Sequence, residues 1–257
     1  MIKKILLKVL KHTVIAAIWL AIWHLVATKV NNELLFPAPL AVFRRLAELL
    51  KNKEFYKIIG KSIMRIVKGM TIGMLIGIVG GTLCAISKIA KDFFAPMIAI
   101  IKSTPVASFI ILIVLWIKRD ETPVVISALM VIPVVWANIE MGFRKTDRSL
   151  LEMARVYKIS NTKKVTEIYL PSVYPYFLSS LRSSLGLAWK AGIAAEVLLQ
   201  PLASIGKQIF EAKYMLETVD LFAWTVAVII LSVLIELVFV LLFGRAAKRY
   251  SGGDSNG

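Results

Sequence analysis

The feature that most constrains this chain is a series of long apolar segments separated by short polar ones. Stretches of about 20 apolar residues, the length that a helix needs to cross the hydrocarbon core of a bilayer, recur along the sequence. The chain has 257 residues, of which 58% are hydrophobic, a larger share than soluble domains carry. There is room for about six crossings with their connectors. The sequence therefore predicts an all-α membrane protein with one transmembrane domain over residues 1–257.

Charged and helix-breaking residues bound the predicted spans. The basic start of the chain resembles a signal peptide, but no small-residue cleavage site follows residues 13–28, so this run is interpreted as a retained first span. Residues 40–61 are amphipathic and predict a short helix at the membrane surface. The tail at 250–257 is expected to be disordered. We expect spans at residues 12–30, 62–87, 94–117, 122–142, 173–199 and 221–243.

A net charge of +16 would suggest nucleic acid as the partner of a soluble protein. No soluble segment here is long enough to form such a domain, so no nucleic-acid partner is expected. Beside membrane spans, lysines and arginines meet anionic headgroups and set orientation. The loop at 143–172 holds seven of them, which predicts a cytoplasmic loop and cytoplasmic termini. The loop at 31–61 is also basic and alone favours the opposite orientation.

Motifs for catalysis or cofactor binding are absent from the sequence. There is no G-x-x-x-x-G-K-[ST] for ATP, and no G-x-S-x-G, H-E-x-x-H or C-x-x-C. Two histidines and the single Cys84 predict neither a metal site nor an intrachain disulfide. We therefore expect a protein that is not an enzyme and binds no cofactor itself. A membrane enzyme would need a titratable cluster, whereas the ionisable residues here are scattered.

Two patterns lie within the predicted spans. The first is four glycines spaced four residues apart, which share nearly one helix face and predict close packing of another helix; they are Gly69, Gly73, Gly77 and Gly81. The second is a set of ionisable residues, which cost roughly 2.5–3.5 kcal/mol each in hydrocarbon and should face the bundle interior or a water-filled cavity. Pro105 should also kink its span and free a carbonyl. The candidate lining of a translocation pathway is Lys102, Ser103, Thr104, Pro105, Arg182, Lys190 and Glu196.

Three of these ionisable residues are cations and one is an anion, which suits an anionic substrate. Arg182 and Glu196 lie close to the same helix face and are expected to line one pathway at different depths. The alternative is a structural role, in which these residues pair with each other or with carbonyls freed near Pro105.

The cytoplasmic loop predicts a helical hairpin. An amphipathic helix is expected over 150–157, then a turn around Ser160-Asn161, then a second short helix ending at Pro171. Exposed apolar residues in such a hairpin suit docking to a soluble partner.

This segment resembles the EAA loop of binding-protein-dependent ABC importer permeases, E-A-A-x-x-x-G followed by I-x-L-P. Glu152, Ala154 and the ending Ile168-Tyr169-Leu170-Pro171 match, and Met153 stands for the second alanine. Lys158 occupies the position that glycine normally holds. Since glycine allows the turn between the two helices, we expect this turn to be built differently or to lie later, near Asn161.

The resemblance covers residues 35–200 in order and is closest to the subfamily for sulfonates, nitrate and taurine. Residues 35–39 are similar to its L-P-x-P turn, and residues 62–69 to S-L-x-R-x-x-x-G. Residues 102–105 are similar to R-x-I-P, and residues 181–196 to G-L-R-x-A-L-G-x-A-W…A-E.

The resemblance implies a type I (MetI-like) importer permease in a bacterial inner membrane. In that family two permease subunits, here expected to be identical, form the pathway, and a cytoplasmic ATPase dimer holds ATP and Mg²⁺. An extracytoplasmic binding protein delivers substrate. Each EAA loop sits in a groove of one ATPase subunit, so the expected coupling residues are Leu151, Glu152, Met153, Ala154, Arg155, Tyr157, Lys158, Ser160, Leu170 and Pro171.

Alternatives stay open from the sequence alone. Glu152 and Arg155 are spaced to form an intrahelical ion pair, and the apolar loop residues are also suited to pack on the spans' own cytoplasmic ends. The substrate is expected to be a small anion such as a sulfonate, nitrate or taurine, with a nitrogenous vitamin precursor as the alternative. A secondary transporter that needs no ATPase is the different class to exclude.

Overall fold

The computed structural model describes the backbone of residues 2–251 and the side chains of residues 10, 11 and 13–241. Within these residues the chain is helical throughout its regular structure, so the prediction of an all-α protein is confirmed. A π-helical turn, Val165–Tyr169, precedes α9. The helices are α1 (Ile2–Val30), α2 (Pro39–Leu49), α3 (Lys53–Ile86), α4 (Lys88–Ser103), α5 (Val106–Ile113), α6 (Thr122–Arg144), α7 (Arg148–Val156), α8 (Asn161–Lys164), α9 (Leu170–Leu199), α10 (Ile205–Tyr214) and α11 (Thr218–Ser251).

Four of the described helices, α1, α3, α6 and α11, are long and apolar enough to cross a membrane. The pair formed by α4 and α5 makes a fifth crossing if it is one broken span, bent by 103°. α9 has 30 residues, which at 1.5 Å per residue is about 45 Å and sufficient to cross. Its ionisable residues lower its hydropathy, and its place as a sixth span stays a prediction. The tail from 252 onward lies outside the described residues.

The segment at 40–61 differs from the single surface helix that we expected. Its first part is α2, and its second part is the beginning of α3, which continues without a break from Lys53 into the apolar span. Asn52 caps this helix, since its side chain accepts a hydrogen bond from the Glu54 amide at 2.9 Å. No proline interrupts residues 53–86, so the amphipathic start and the span form one helix.

The core of the bundle is built from α3, α6 and α9. The four spaced glycines of α3 face α6, and a Cβ at Gly73 would lie 2.6 Å from the carbonyl oxygen of Ala128. Ser127 of α6 donates a hydrogen bond to the Ala188 carbonyl of α9 at 3.2 Å, and both residues are buried. These close approaches leave α6 the most deeply enclosed of the three helices.

The first and last spans are peripheral. α1 is anchored near its end, where the indole of Trp23 donates to the Pro37 carbonyl at 3.1 Å and packs against Phe36 and Phe222. Arg45 of α2 holds the start of α11 by a hydrogen bond to Asp220 at 3.0 Å. That contact raises the pKa of the Arg45 guanidinium above its ordinary value.

Candidate functional site

The first helix of the hairpin predicted for the cytoplasmic side, α7, has defined caps at both ends. Asp147 accepts hydrogen bonds from the hydroxyl and the amide of Ser149, each at 2.8 Å, and these bonds lower the pKa of the Asp147 carboxyl. At the other end, the Lys158 amide donates to the Arg155 carbonyl at 3.1 Å and the Ile159 amide donates to the Ala154 carbonyl at 2.9 Å. This pair of bonds is a Schellman motif.

Lys158 occupies the left-handed position of that motif, with a φ of 50°. Glycine reaches this conformation without strain, whereas a side chain with a Cβ does not. The turn therefore lies at Lys158, the position that glycine holds in the E-A-A-x-x-x-G pattern. Our expectation of a turn displaced toward Asn161 is wrong, because the two backbone bonds fix the chain reversal at Lys158.

The second arm of the hairpin does not end at Pro171. Ser160 caps α8, accepting from the Lys163 amide at 3.4 Å, and the π-helical turn Val165–Tyr169 then leads directly into α9. Pro171 is the second residue of α9, so its missing amide removes one backbone hydrogen bond directly after the π-helical turn without ending the helix. The hairpin is thus continuous with the helix that we expected to begin as a separate span.

The outward face of the hairpin combines charged and apolar side chains. Met153, Val156 and Tyr157 are exposed by 44%, 77% and 75%, although Val156 was not among the residues selected from the sequence. Ala154 is fully buried, so its expected direct contact with a partner is corrected to packing within this chain. The other expected coupling residues range from half-buried to exposed; they are Leu151, Glu152, Arg155, Lys158, Ser160, Leu170 and Pro171.

The third predicted span (span 3, residues 94–117) is broken at the proline where the sequence predicts a kink. Pro105 has no amide hydrogen and disfavours helical geometry in the residue before it, and Thr104 is extended, with φ −79° and ψ 128°. The hydroxyls of Ser103 and Thr104 bond back to the Ile100 carbonyl at 3.2 and 2.8 Å. Lys102 lies in the last turn of α4, directly before the break.

The cations predicted for the pathway differ in their partners. Lys102 and Lys190 are exposed, and neither contacts a carboxylate among the described side chains. Arg182 lies 3.6 Å from the carboxylate of Glu236 on α11. Sequence reasoning missed Glu236, although a single acid within a long apolar span is the same signal that identified Arg182.

Glu196 is fully buried, so it lines no open pathway in this structure, whereas the side chain of Arg182 on the same helix is 66% exposed. Its carboxylate accepts from the Ser62 hydroxyl at 2.7 Å, from Arg65 at 3.3 Å and from the Gly206 amide at 3.3 Å. Arg65 also donates to the Leu202 carbonyl at 2.8 Å. These contacts, here called the Arg65–Glu196 clamp, attach α10 and its preceding loop to α3.

Comparison with known proteins identifies the family. The profile described as "Binding-protein-dependent transport system inner membrane component" matches residues 73–252, well over half of the chain. The chain belongs to this family. It is a multi-pass membrane permease subunit of an ABC importer, in agreement with its bundle of long apolar helices.

Curated relatives agree with this assignment. The permease SsuC of Bacillus subtilis strain 168, named for aliphatic sulfonates transport, is 28% identical over 83% of this chain and 78% of its own length. The bicarbonate transport permease CmpB of Synechococcus elongatus is 26% identical over 76% of this chain and 73% of its own. The nitrate import permease NrtB of Synechocystis is also 26% identical, over 75% of this chain and 73% of its own.

A solved structure supports the fold. A chain in a crystal structure of an amino acid ABC transporter with histidines matches with a TM-score of 0.56 at 19% identity, covering 75% of this chain and 93% of that one. At this identity the match concerns the fold alone.

Proposed function

We propose that this permease pairs with a second copy to form the pathway for a small anion, and that its cytoplasmic hairpin docks on an ABC ATPase. ATP and Mg²⁺ are held by that ATPase, and an extracytoplasmic binding protein delivers the substrate. The main support for the proposal is the outward face of α7, where apolar side chains are exposed beside charged ones.

Water-exposed apolar side chains at one patch indicate an interaction surface. Tyr157, Val156 and Met153 are exposed on one hairpin, beside the exposed charges of Glu152 and Arg155. Aromatic residues, methionine and arginine are enriched at protein interfaces. No ion pair joins Glu152 to Arg155 within the described residues, so both side chains stay available to a partner.

The hairpin location also supports an orientation. Because basic residues favour the cytoplasm, we assign the hairpin, the C-terminal end of α6 and the beginning of α9 to that side. We therefore assign both termini to the cytoplasmic side and the loop after α9 to the outer side. The charged residues Arg182 and Glu236 are exposed on the single subunit, by 66% and 57%, and a second copy would remove them from lipid.

The proposed substrate class follows from the relatives and from charge. The three relatives are named for sulfonates, bicarbonate and nitrate, all of which are small oxygen-bearing anions. The cations Lys102, Arg182 and Lys190 suit such an anion. They contribute to passage, whereas the binding protein is expected to supply most of the selectivity.

The docking proposal is tested with two matched double variants. Met153→Ala with Tyr157→Ala removes apolar groups from the hairpin. Met215→Ala with Tyr214→Ala removes the same pair of residue types from the end of α10, where they are exposed by 66% and 76%. The tagged permease is purified from its native membranes, and the Mg²⁺-ATPase activity that accompanies it is measured. We expect at least a tenfold loss for the hairpin variant and no change for the α10 variant.

Two results would contradict the proposal. One is ATPase activity that accompanies the hairpin variant at the wild-type level, and the other is the absence of ATPase activity from the wild-type preparation. A permease that accumulates its substrate in liposomes without ATP would indicate a secondary transporter instead.

A further inference from the structure

A cavity of about 260 Å³ lies between α4 and α6, with the end of α3 at one side. Its walls combine aromatic and small apolar residues with charged groups near its two ends along α4. α4 covers it loosely, because no residue of that helix is buried. The charged and aromatic residues of its lining are Lys91, Phe94, Lys102, Trp136 and Glu140.

The charges around this cavity are unequal. Glu140 is shared by two cations, with Lys91 at 3.0 Å and Arg144 at 2.8 Å. Its negative charge is thus already matched by more than one positive charge. Lys102 lines the cavity but contacts no carboxylate among the described side chains. An excess of positive charge therefore remains, and it is located at Lys102.

The apolar walls of the cavity determine how strongly the charge of Lys102 attracts an anion. Phe94 and Trp136 meet with their ring centroids 5.5 Å apart and the rings steeply inclined, and both line the cavity. Attraction between charges is several times stronger beside apolar walls than in open water. A cation would be repelled by Lys102, and a cavity of about 260 Å³ suits a small solute. A small anion satisfies both conditions, and any short alkyl group on it finds apolar lining in the same cavity, which includes Trp136.

We propose that this cavity binds a small oxygen-bearing anion, with Lys102 as its charge partner and Trp136 as its apolar wall. The inference rests on the proposed function and adds the place within the single subunit where the transported anion is held. Lys91 is about 16 Å from Lys102 along α4, at 1.5 Å per residue. An anion that moves toward the cytoplasm must compete with the carboxylate of Glu140 for Lys91 and Arg144, because Glu140 already pairs with both cations.

The proposal is tested on the full chain in lipid nanodiscs, without the ATPase. Sodium methanesulfonate is titrated at constant ionic strength while tryptophan fluorescence is recorded. We expect a saturable change in the wild type that is absent from Trp136→Phe. Lys102→Met should weaken binding at least tenfold, whereas Lys88→Met, which removes an exposed cation from the first turn of the same helix, should leave it unchanged. Glu140→Gln should tighten binding severalfold because Lys91 and Arg144 lose their competitor.

Equal affinity in the wild type and Lys102→Met would overturn the proposal, as would equal losses in the Lys102 and Lys88 variants. An unchanged affinity in Glu140→Gln would overturn the role given to Glu140. These outcomes are separate from the proposed function. If ATPase activity accompanies the permease but no anion binds, only the cavity assignment fails, whereas loss of the ATPase partner refutes the importer mechanism whatever the titration gives.

Discussion

Replacing Lys158 with glycine should stabilise the hairpin that α7 begins. Lys158 adopts a φ of 50°, and a left-handed conformation costs a residue with a Cβ roughly 1–2 kcal/mol. Glycine removes this cost, but it gains about 0.4–1 kcal/mol of conformational entropy in the unfolded chain. The balance favours the folded hairpin by about 1 kcal/mol, which corresponds to about a fivefold shift in its local opening equilibrium.

Hydrogen exchange of two amides measures this shift directly. The amides of Lys158 and Ile159 donate the two bonds that close the turn, and in the Lys158→Gly variant the amides at these positions should exchange about fivefold more slowly, as local opening becomes rarer. Lys158→Ala removes the same charge without freeing the backbone, so it should leave the exchange rates near those of the wild type.

The matched control lies in the turn that follows α10. Leu216 has a φ of 60°, and its motif repeats the hairpin turn, with the Glu217 amide bonded to the Ala212 carbonyl at 2.9 Å. Leu216→Gly should slow exchange there and not in the hairpin. The strain argument is refuted if Lys158→Gly exchanges as fast as the wild type, or if Lys158→Ala slows exchange as much as glycine does.

Two further predictions concern the bundle. Arg65→Ala leaves the buried carboxylate of Glu196 without its cation and should destabilise the protein by about 3 kcal/mol. Lys68→Ala breaks an exposed ion pair and should cost less than about 1 kcal/mol. Thermal unfolding in detergent compares the two variants, and equal losses of stability would contradict the role given to the clamp. Gly73→Ala places a Cβ 2.6 Å from a backbone oxygen of α6 and should destabilise the protein by about 2 kcal/mol. Gly60→Ala, with open space around the new Cβ, should be neutral or stabilising by up to about 1 kcal/mol. No loss of stability in Gly73→Ala would show that α3 and α6 separate freely.

Features that depend on local pattern were accessible from the sequence. The glycine spacing on α3 indicated a close helix contact, since residues four apart share a helix face wherever the helix lies. The amphipathic pattern of the cytoplasmic loop likewise predicted α7 to within two residues of its observed start. A proline in an apolar run indicated the disturbance in span 3, although it did not specify a bend of 103°.

Features that depend on distant residues were not accessible. Glu196 and Arg65 are 131 positions apart, and nothing local to either residue indicates that they meet. The burial of Ala154 depends on how α7 lies against the rest of the chain, which no periodicity specifies. The prediction of the Lys158 turn was wrong for a related reason. Glycine prefers the left-handed region but is not required there, and two backbone hydrogen bonds hold a lysine in it.

The π-helical turn joins α8 to α9 without a break in the helical backbone, so residues from Asn161 to Glu196 follow one helical path that is about 54 Å long at 1.5 Å per residue. The Arg65–Glu196 clamp attaches the far end of this path to α3. If the clamp holds while the hairpin moves, it becomes a pivot, and a displacement of about 9 Å at the hairpin corresponds to a tilt of about 10°. A push on the hairpin is then converted into a change in the angle between α9 and the helices that pack against it.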